Sequence, residues 1–417
     1  MKKMLMAAGM AAVMTACGTA GQKAATDAGN PFLAEYSTPF GVPPFDLIKV
    51  EHYKEAFLKG MEEQKKEIDA IVNQRSVPDF DNTIAAFDQS GELLNKVSTV
   101  FSGLNSCNTN DEMQAFNKEI TPLLSAHRDD ISLNPALFAR VKEVYERREN
   151  LGLDKEQNKL LEETYKKFVR GGANLDSVDQ AKLRQLNSEI SMLQLTFGQN
   201  LLKETNAFEL VIDKKEDLAG LPESLVASAA EAAKGAGMEE KWLFTLHNPS
   251  VMPFLQYADN RELREKIFKG YINRGNNGNE ADNNEIVKKL VALRLEKAKL
   301  MGYADYASYI LEDRMAKNEE NVYRLLNQIW TPAVAKAKEE LSDIQSEIKK
   351  EGANFTPEGW DWRYYFEKAK KAKFSLDENE VRPYLELNNV REGAFYVANR
   401  LYAVSYTHLT LPTNSRV

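Results

Sequence analysis

The stretch QAKLRQLNSEISMLQLTFGQNLL, residues 180–202, carries its large apolar side chains at intervals of three and four. These side chains belong to Leu183, Leu186, Ile190, Leu193, Phe197 and Leu201. Such spacing places them on one stripe of an α-helix about six turns long. A similar stripe over residues 286–300 ends just before Gly302, a residue suited to a helix C-cap. The pattern predicts a mainly α-helical body.

Turn and cap residues divide this body into elements. Asp81-Asn82-Thr83 predicts the start of a helix over residues 84–90, and Asn134-Pro135 predicts the start of another. Residues 208–212 alternate as a strand does, and residues 242–246 form a short apolar run. We expect these two runs to pair as a small ribbon among the helices. The loop-forming pair Asn248-Pro249 predicts a boundary near His247.

Composition excludes several classes of protein. The 417 residues include 54 basic and 62 acidic side chains, which give a net charge of −8. A hydrophobic content of 43% supplies a sizeable core and excludes a disordered chain. The sequence contains no block of Lys and Arg interleaved with aromatic residues, which is the pattern that binds along a phosphate backbone. We therefore expect no nucleic-acid partner. The length predicts two or three structural units, at roughly 150 residues per domain.

The amino end has the organisation of an export signal. Residues 1–17, MKKMLMAAGMAAVMTAC, place Lys2 and Lys3 before an uncharged run that is too short for a permanent membrane span. The last four residues, ending at Cys17, resemble a bacterial lipobox, which predicts lipid attachment at Cys17 and a location on the periplasmic side of a bacterial membrane. A plain secretory signal cut at an Ala-x-Ala-like site is the alternative. Residues 18–30 are interpreted as a flexible tether.

Residue types alone indicate no catalytic centre. The histidines stand far apart, at His52, His127, His247 and His408, and no His-Glu-x-x-His motif is present. Each is therefore interpreted as a partly buried or solvated side chain. Gly-x-Ser-x-Gly is absent, and the phosphate-loop spacing from Gly270 to Gly275 is followed by Asn276 where a lysine is needed. Cys107 has no basic neighbour in sequence, which favours a structural thiol.

The densest aromatic cluster consists of Trp360, Trp362, Tyr364, Tyr365 and Phe366. Packing between helices is the favoured interpretation, and a peptide-binding groove is the alternative.

Five segments, in order, resemble the dipeptidyl carboxypeptidase branch of the thimet oligopeptidase and oligopeptidase A family of zinc metallopeptidases. They are NPFLAEYSTPFGVPPFDLIKVEHYKEAFLKGM at 30–61, PDFDNTIAAFDQSGELL at 78–94, LFARVKEVYERRENLGLD at 137–154, GYINRGNNGNEADNNEIVKKLVALRLEKAKLMGYADYASYILEDRMA at 270–316 and WDWRYYFEKAKKAKFSLDENEVRPYLELNNV at 360–390. The resemblance covers about 370 residues. No single motif establishes the resemblance. The occurrence of the five segments in the same order does.

The resemblance implies a neurolysin-like fold of two mostly helical halves around a deep channel. It implies short peptide substrates, release of dipeptides from a free C-terminus, and a zinc ion that polarises the scissile carbonyl. In this frame residues 31–246 are an N-terminal helical domain, and residues 247–402 are the start of an incomplete peptidase region.

The sequence departs from the family after Tyr402. Family members continue there with the His-Glu-x-x-His helix, which is missing, so no catalytic, metal or cofactor residue is assigned. Residues 403–417, AVSYTHLTLPTNSRV, contain no acidic residue and no lysine and are interpreted as foreign sequence. We therefore expect a truncated chain that binds no zinc, is inactive by itself and exposes apolar helix faces.

Two alternatives stay open from the sequence. One is a complete, non-catalytic helical lipoprotein that binds peptides. The other is an oligopeptidase that prefers internal peptide bonds.

Overall fold

The computed structural model describes residues 29–375 and 378–406 of the chain. Helices dominate these residues, so the predicted mainly α fold class is confirmed. The chain divides into two compact units, Met1–Met192 and Leu193–Val417. The division falls inside one long helix.

The first unit is built from helices in sequence order. They are α1 Val50–Val72, α2 Ala86–Gln89, α3 Glu92–Cys107, α4 Asp111–Ser132, α5 Pro135–Glu146, α6 Lys155–Arg170 and the first part of α7, Ser177–Ala207. A π-helix, Phe80–Ala85, runs directly into α2.

Helix α1 contributes to two separate cores of this unit. Near its start, Phe57 is fully buried and packs edge-on against Phe101 of α3, with ring centroids 5.8 Å apart. Near its end, Ile68 and Ile71 join a second core with α5 and α6. Gly60 permits the close approach of α1 and α3, because a Cβ atom there would lie 2.9 Å from the backbone of Leu94.

The second unit adds a ribbon and the remaining helices. Its elements are β1 Leu210–Ile212, α8 Glu223–Gly235, β2 Trp242–Phe244, α9 Asn248–Tyr257, α10 Arg261–Ile272, α11 Asn284–Leu300, α12 Tyr306–Leu311, α13 Glu319–Lys350, α14 Gly359–Phe374, α15 Glu378–Val381 and α16 Leu387–Tyr402. Strands β1 and β2 are antiparallel, with Leu210 opposite Phe244. The predicted ribbon is therefore confirmed, and its buried side packs on α8 and α9.

One of the two predicted helix starts is confirmed. Asn134 caps α5 by accepting hydrogen bonds from the backbone amides of Ala136 and Leu137, both at 3.0 Å. The start predicted at residues 81–83 is wrong by a few residues. Asp79 is the cap there, because its side chain accepts from the Asn82 amide at 2.7 Å while Asn82 accepts from the Asp79 amide at 3.1 Å.

The boundary predicted near His247 lies within the second unit, where His247 precedes α9. The division into residues 31–246 and 247–402 stays a prediction. None of the helices in the described residues combines the length and the apolar character that a membrane span requires.

Candidate functional site

A buried charge cluster joins α10 to α14 in the second unit. Its members are Asp361, which is completely buried, and the two arginines Arg261 and Arg264. Arg261 donates to the carboxylate through Nε at 3.0 Å and through Nη2 at 2.7 Å. Arg264, itself only 1% exposed, donates through Nη2 at 3.0 Å. We call these three residues the Asp361 cluster.

The same residues also bind the backbone around them. Asp361 accepts from the Glu358 amide at 3.0 Å, which caps α14. Arg264 donates to the carbonyls of Ala258 at 2.8 Å and Asp259 at 3.1 Å, just before α10 begins. Its guanidinium lies 4.0 Å from the centre of the Tyr364 ring. The cluster therefore fixes the relative position of α10 and α14.

The pKa of Asp361 reflects this environment. Burial alone raises the pKa of a carboxyl group, but the hydrogen bonds from Arg261, the Glu358 amide and Arg264 outweigh burial and lower it. Both carboxylate oxygens accept hydrogen bonds, and the group is ionised. These features make Asp361 a structural clamp and a poor general acid or base.

The predicted packing role of the aromatic cluster is confirmed for Tyr364, Tyr365 and Trp362, whereas Phe366 is 38% exposed. Tyr364 and Tyr365 are each 5% exposed and pack with Ile344 and Ile348 of α13. The Tyr364 hydroxyl donates to Asp259 at 2.8 Å, and the Tyr365 hydroxyl donates to Glu351 at 3.1 Å. Burial is the largest effect on both phenols, and it raises their pKa. These rings hold α13, α14 and the start of α10 together.

A groove of about 860 Å³ lies elsewhere in the second unit. Its walls are residues of α8, β2, α9 and the turn after α15, namely Pro222, Ser224, Leu225, Ser228, Ala229, Ala232, Leu243, Thr245, His247, Pro249, Ser250, Pro253, Tyr257, Val381, Arg382 and Leu385. Most of this lining is small or apolar, and we call it the α8–α9 groove.

Polar groups in the α8–α9 groove are few. Arg382 brings a positive charge and donates to Ser224 Oγ at 3.1 Å, while Ser250 Oγ accepts from the Thr245 amide at 3.0 Å. His247 is exposed at the same groove. Apolar walls beside a single guanidinium suit an apolar side chain that lies next to an anionic group.

The three histidines among the described residues, His52, His127 and His247, do not come together in a site. His127 of α4 is 5% exposed, and its Nε2 lies 2.7 Å from Gln64 Oε1. This burial is deeper than the partly buried or solvated position predicted for it, because α4 turns that face toward α1. His52 is half-buried and accepts from the Lys49 amide at 3.1 Å, and His247 is exposed. His408 lies outside the described residues.

The structure tests the prediction made for one of the two cysteines, Cys107. The prediction of a structural thiol at Cys107 is wrong, because Cys107 is a free, exposed cysteine at the end of α3 and contributes nothing to a core. Cys17, the predicted lipid attachment residue, lies outside the described residues.

Part of the second unit is similar to a family of known proteins. Residues 254–411 match the family described as Peptidase family M3. This span includes α10, α14 and the Asp361 cluster. The chain is also 40% identical to the dipeptidyl carboxypeptidase of Escherichia coli (strain K12) over 378 residues. This chain is a relative of the M3 peptidases. The resemblance predicted from the sequence is thus confirmed.

The identity is higher with the dipeptidyl carboxypeptidases than with oligopeptidase A. The dipeptidyl carboxypeptidase of Salmonella typhimurium is 39% identical, and the oligopeptidase A of Escherichia coli is 28% identical over 380 residues. Each of these alignments covers 90% of this chain. The chain spans about half the length of the curated relatives it matches, 56% for the two carboxypeptidases and 55% for oligopeptidase A.

M3 peptidases depend on zinc, which proteins hold with three or four clustered His, Cys, Asp or Glu side chains. Residues 29–375 and 378–406 contain no group of three or more His, Cys, Asp or Glu side chains arranged to hold a metal ion. These residues therefore do not fit a zinc ion.

The sequence patterns did not predict the Asp361 cluster. Arg264 and Asp361 are 97 residues apart, and charge patterns are informative only over one or two helix turns. The available signal is an aspartate placed between two tryptophans, since Trp360-Asp361-Trp362 sets a charge inside an apolar run.

Proposed function

We propose that this chain is the N-terminal part of a zinc metallopeptidase that releases dipeptides from the C-terminus of oligopeptides. One observation carries the choice within the M3 peptidases. The chain is 40% identical to a dipeptidyl carboxypeptidase and 28% identical to an oligopeptidase A, over nearly equal alignments of 378 and 380 residues. This difference favours exopeptidase action over cleavage of internal bonds.

In this proposal the chain contributes helical scaffold to a channel that admits short peptides. The zinc ligands and the catalytic base are not among its residues, because its four histidines are scattered and none begins a His-Glu-x-x-His motif. Binding without stabilisation of the transition state does not accelerate hydrolysis. The 417-residue chain is therefore inactive by itself.

The test compares two products of the same gene. The reading frame is extended in the source DNA, and the extended protein and the 417-residue chain are purified side by side. We expect about one zinc per molecule and chelator-sensitive hydrolysis of a blocked tetrapeptide from the extended protein only. A stop codon directly after Val417 in the native gene, or chelator-sensitive hydrolysis by the 417-residue chain, would overturn the proposal.

A second candidate function is peptide binding without catalysis, by a helical lipoprotein. The α8–α9 groove favours it, because apolar walls and the Arg382 guanidinium suit a peptide with an apolar residue beside a carboxylate. Titration of short peptides into the 417-residue chain tests this candidate. Binding that weakens at least tenfold in Arg382→Ala supports it, and equal affinity of both chains for the peptides rejects it.

We also propose export and lipid anchoring through Cys17. The support is the arrangement of Lys2, Lys3, the uncharged run and the lipobox-like residues before Cys17. The mature protein then begins at Cys17, partitions into detergent and faces the periplasm. Cys17→Ser leaves the precursor uncleaved or releases the protein from the membrane. A mature protein that starts after Ala20 and stays in the aqueous phase would contradict the anchor.

A further inference from the structure

The connection between α10 and α11 contains the single Asn-Gly pair of the sequence, Asn277-Gly278. An asparagine before glycine is chemically labile, because no side chain on the glycine keeps its backbone nitrogen away from the neighbouring amide carbon. Both residues are exposed, and Gly278 has a φ of 63°, in the left-handed region that glycine adopts without strain. We call residues 273–283 the Asn277 loop.

Glu204, near the end of α7, binds the Asn277 loop. Its carboxylate accepts from Asn277 Nδ2 at 2.9 Å and 3.0 Å and from Asn279 Nδ2 at 2.6 Å. It also accepts from the backbone amide of Gly275. Burial is the largest effect on the pKa of Glu204 and raises it, but these hydrogen bonds together outweigh burial and lower it. An ionised carboxylate therefore ties three N–H groups of the loop to α7.

Hydrogen bonds restrain both groups that would take part in loss of the Asn277 amide. The leaving nitrogen is Asn277 Nδ2, which donates to Glu204. The attacking nitrogen is the backbone nitrogen of Gly278, whose N–H donates to Asp282 Oδ2 at 2.8 Å. The reaction has to break these bonds before the two groups can meet. The folded loop therefore slows the reaction.

We propose that Asn277 is a deamidation site that the Glu204 carboxylate keeps intact in the folded chain, and that loss of its amide opens the Asn277 loop. The inference concerns the chemistry of this chain and does not rest on peptidase activity.

The only co-reactant of the proposed reaction is water. The Gly278 backbone nitrogen gives its proton to hydroxide and attacks Asn277 Cγ. A bond forms between this nitrogen and Cγ, the bond from Cγ to Nδ2 breaks, and ammonia leaves with a proton taken from water. Water then opens the resulting cyclic imide at either carbonyl carbon and returns a proton to the nitrogen. The product is aspartate or isoaspartate, and each carries a carboxylate.

The new carboxylate at position 277 conflicts with the bonds that hold the loop. It has no N–H to donate, and it lies against Glu204, which Asp282 already repels. Like charges this close destabilise the contact. Because the ammonia has left, refolding does not restore the amide, so the change from a closed to an open loop runs in one direction.

The first test measures amide loss at each asparagine by peptide mapping with mass spectrometry. The chain is incubated in mildly alkaline buffer with a non-ionic detergent. We expect Asn277 to lose its amide about fivefold faster or more in Glu204→Ala, since one ordinary hydrogen bond provides a factor of this size. Glu189→Ala removes a carboxylate of α7 that is bonded to Gln185 instead, and it leaves the rate unchanged.

The unchanged chain supplies a comparison that needs no variant. In urea its Asn277 should react about fivefold faster or more than in the folded chain, because the bonds to Glu204 and Asp282 are absent. Equal rates at Asn277 in the folded and the urea-unfolded chain would overturn the protective role of the fold. Faster amide loss at another asparagine than at Asn277 in Glu204→Ala would overturn the assignment of the site.

The second test measures the consequence of the modification with trypsin, which cleaves after Arg274. Asn277→Asp places the product carboxylate in the loop. Asn276→Asp is the matched control, because Asn276 uses its oxygen to accept from Asn284 Nδ2 at 2.7 Å, and aspartate keeps that bond. We expect cleavage between Arg274 and Gly275 to be about fivefold faster or more in Asn277→Asp than in Asn276→Asp. Equal cleavage of the two variants would contradict the opening of the loop.

Discussion

Removal of the charge on Asp361 tests the role of the buried cluster in the second unit. In Asp361→Asn the shape of the side chain is kept, but Arg264 loses its only carboxylate partner among the described residues. Arg264 is 1% exposed, so its positive charge stays buried without a counterion. Removal of one partner of a buried ion pair costs about 3–5 kcal/mol of folding free energy. The side chain of Arg261 is 39% exposed and regains water, so it adds little to this cost.

Tryptophan fluorescence measures this loss of folding free energy in the second unit, which contains the Asp361 cluster. All four tryptophans, Trp242, Trp330, Trp360 and Trp362, lie in the second unit. We expect Asp361→Asn to lower the midpoint of thermal unfolding in fluorescence by roughly 10 °C, at about 2–4 °C per kcal/mol. Glu339→Gln, which breaks the exposed pair with Lys336, is the control and changes the free energy by less than about 0.5 kcal/mol.

Two outcomes would refute this reasoning. One is a loss below about 1 kcal/mol in Asp361→Asn, which would mean that water reaches Arg264. The other is a larger loss in Arg261→Met than in Arg264→Met, because the cost must follow the burial of the arginine.

Three further predictions concern other parts of the chain. Burial, together with the positive charge of Lys65, lowers the pKa of His127, so the unfolded state binds the proton more tightly. The first unit therefore loses stability as the pH falls below about 6.5. Urea unfolding followed by circular dichroism measures this loss. In His127→Gln the contribution of this side chain to the loss must disappear. Gly270→Ala places a Cβ atom 2.3 Å from the Phe208 ring and should cost about 1–3 kcal/mol in the same fluorescence assay, whereas an unchanged midpoint would mean that the ring moves freely. The Cys107 thiol is exposed and should react with Ellman's reagent in native buffer, and reaction only after denaturation would contradict its position.

Local patterns predict much of this fold because helices and ribbons are local structures. The stripe in residues 180–202 lies within α7, Ser177–Ala207, and the two short apolar runs pair as β1 and β2. Asn134 caps α5 as its position before Pro135 predicts. In each case the deciding residues lie within one or two helix turns or one strand of each other.

Features that depend on distant partners were not predictable in this way. The apolar stripe of α13 is continuous in sequence, but only the structure shows that α14 covers Ile344 and Ile348 and leaves Trp330 exposed. The burial of His127 and the exposure of Cys107 likewise depend on which helix faces which neighbour. Periodicity identifies the apolar face of a helix and says nothing of what covers it.

The central claim is the release of dipeptides from a free C-terminus, and one pair of substrates tests it most directly. The extended protein is given an N-terminally blocked hexapeptide with a free carboxylate and the same peptide as a C-terminal amide, and the products are identified by mass spectrometry. We expect successive loss of C-terminal dipeptides from the free acid and at least a hundredfold slower cleavage of the amide. Equal cleavage of both peptides at internal bonds would contradict it and would favour action like that of an oligopeptidase.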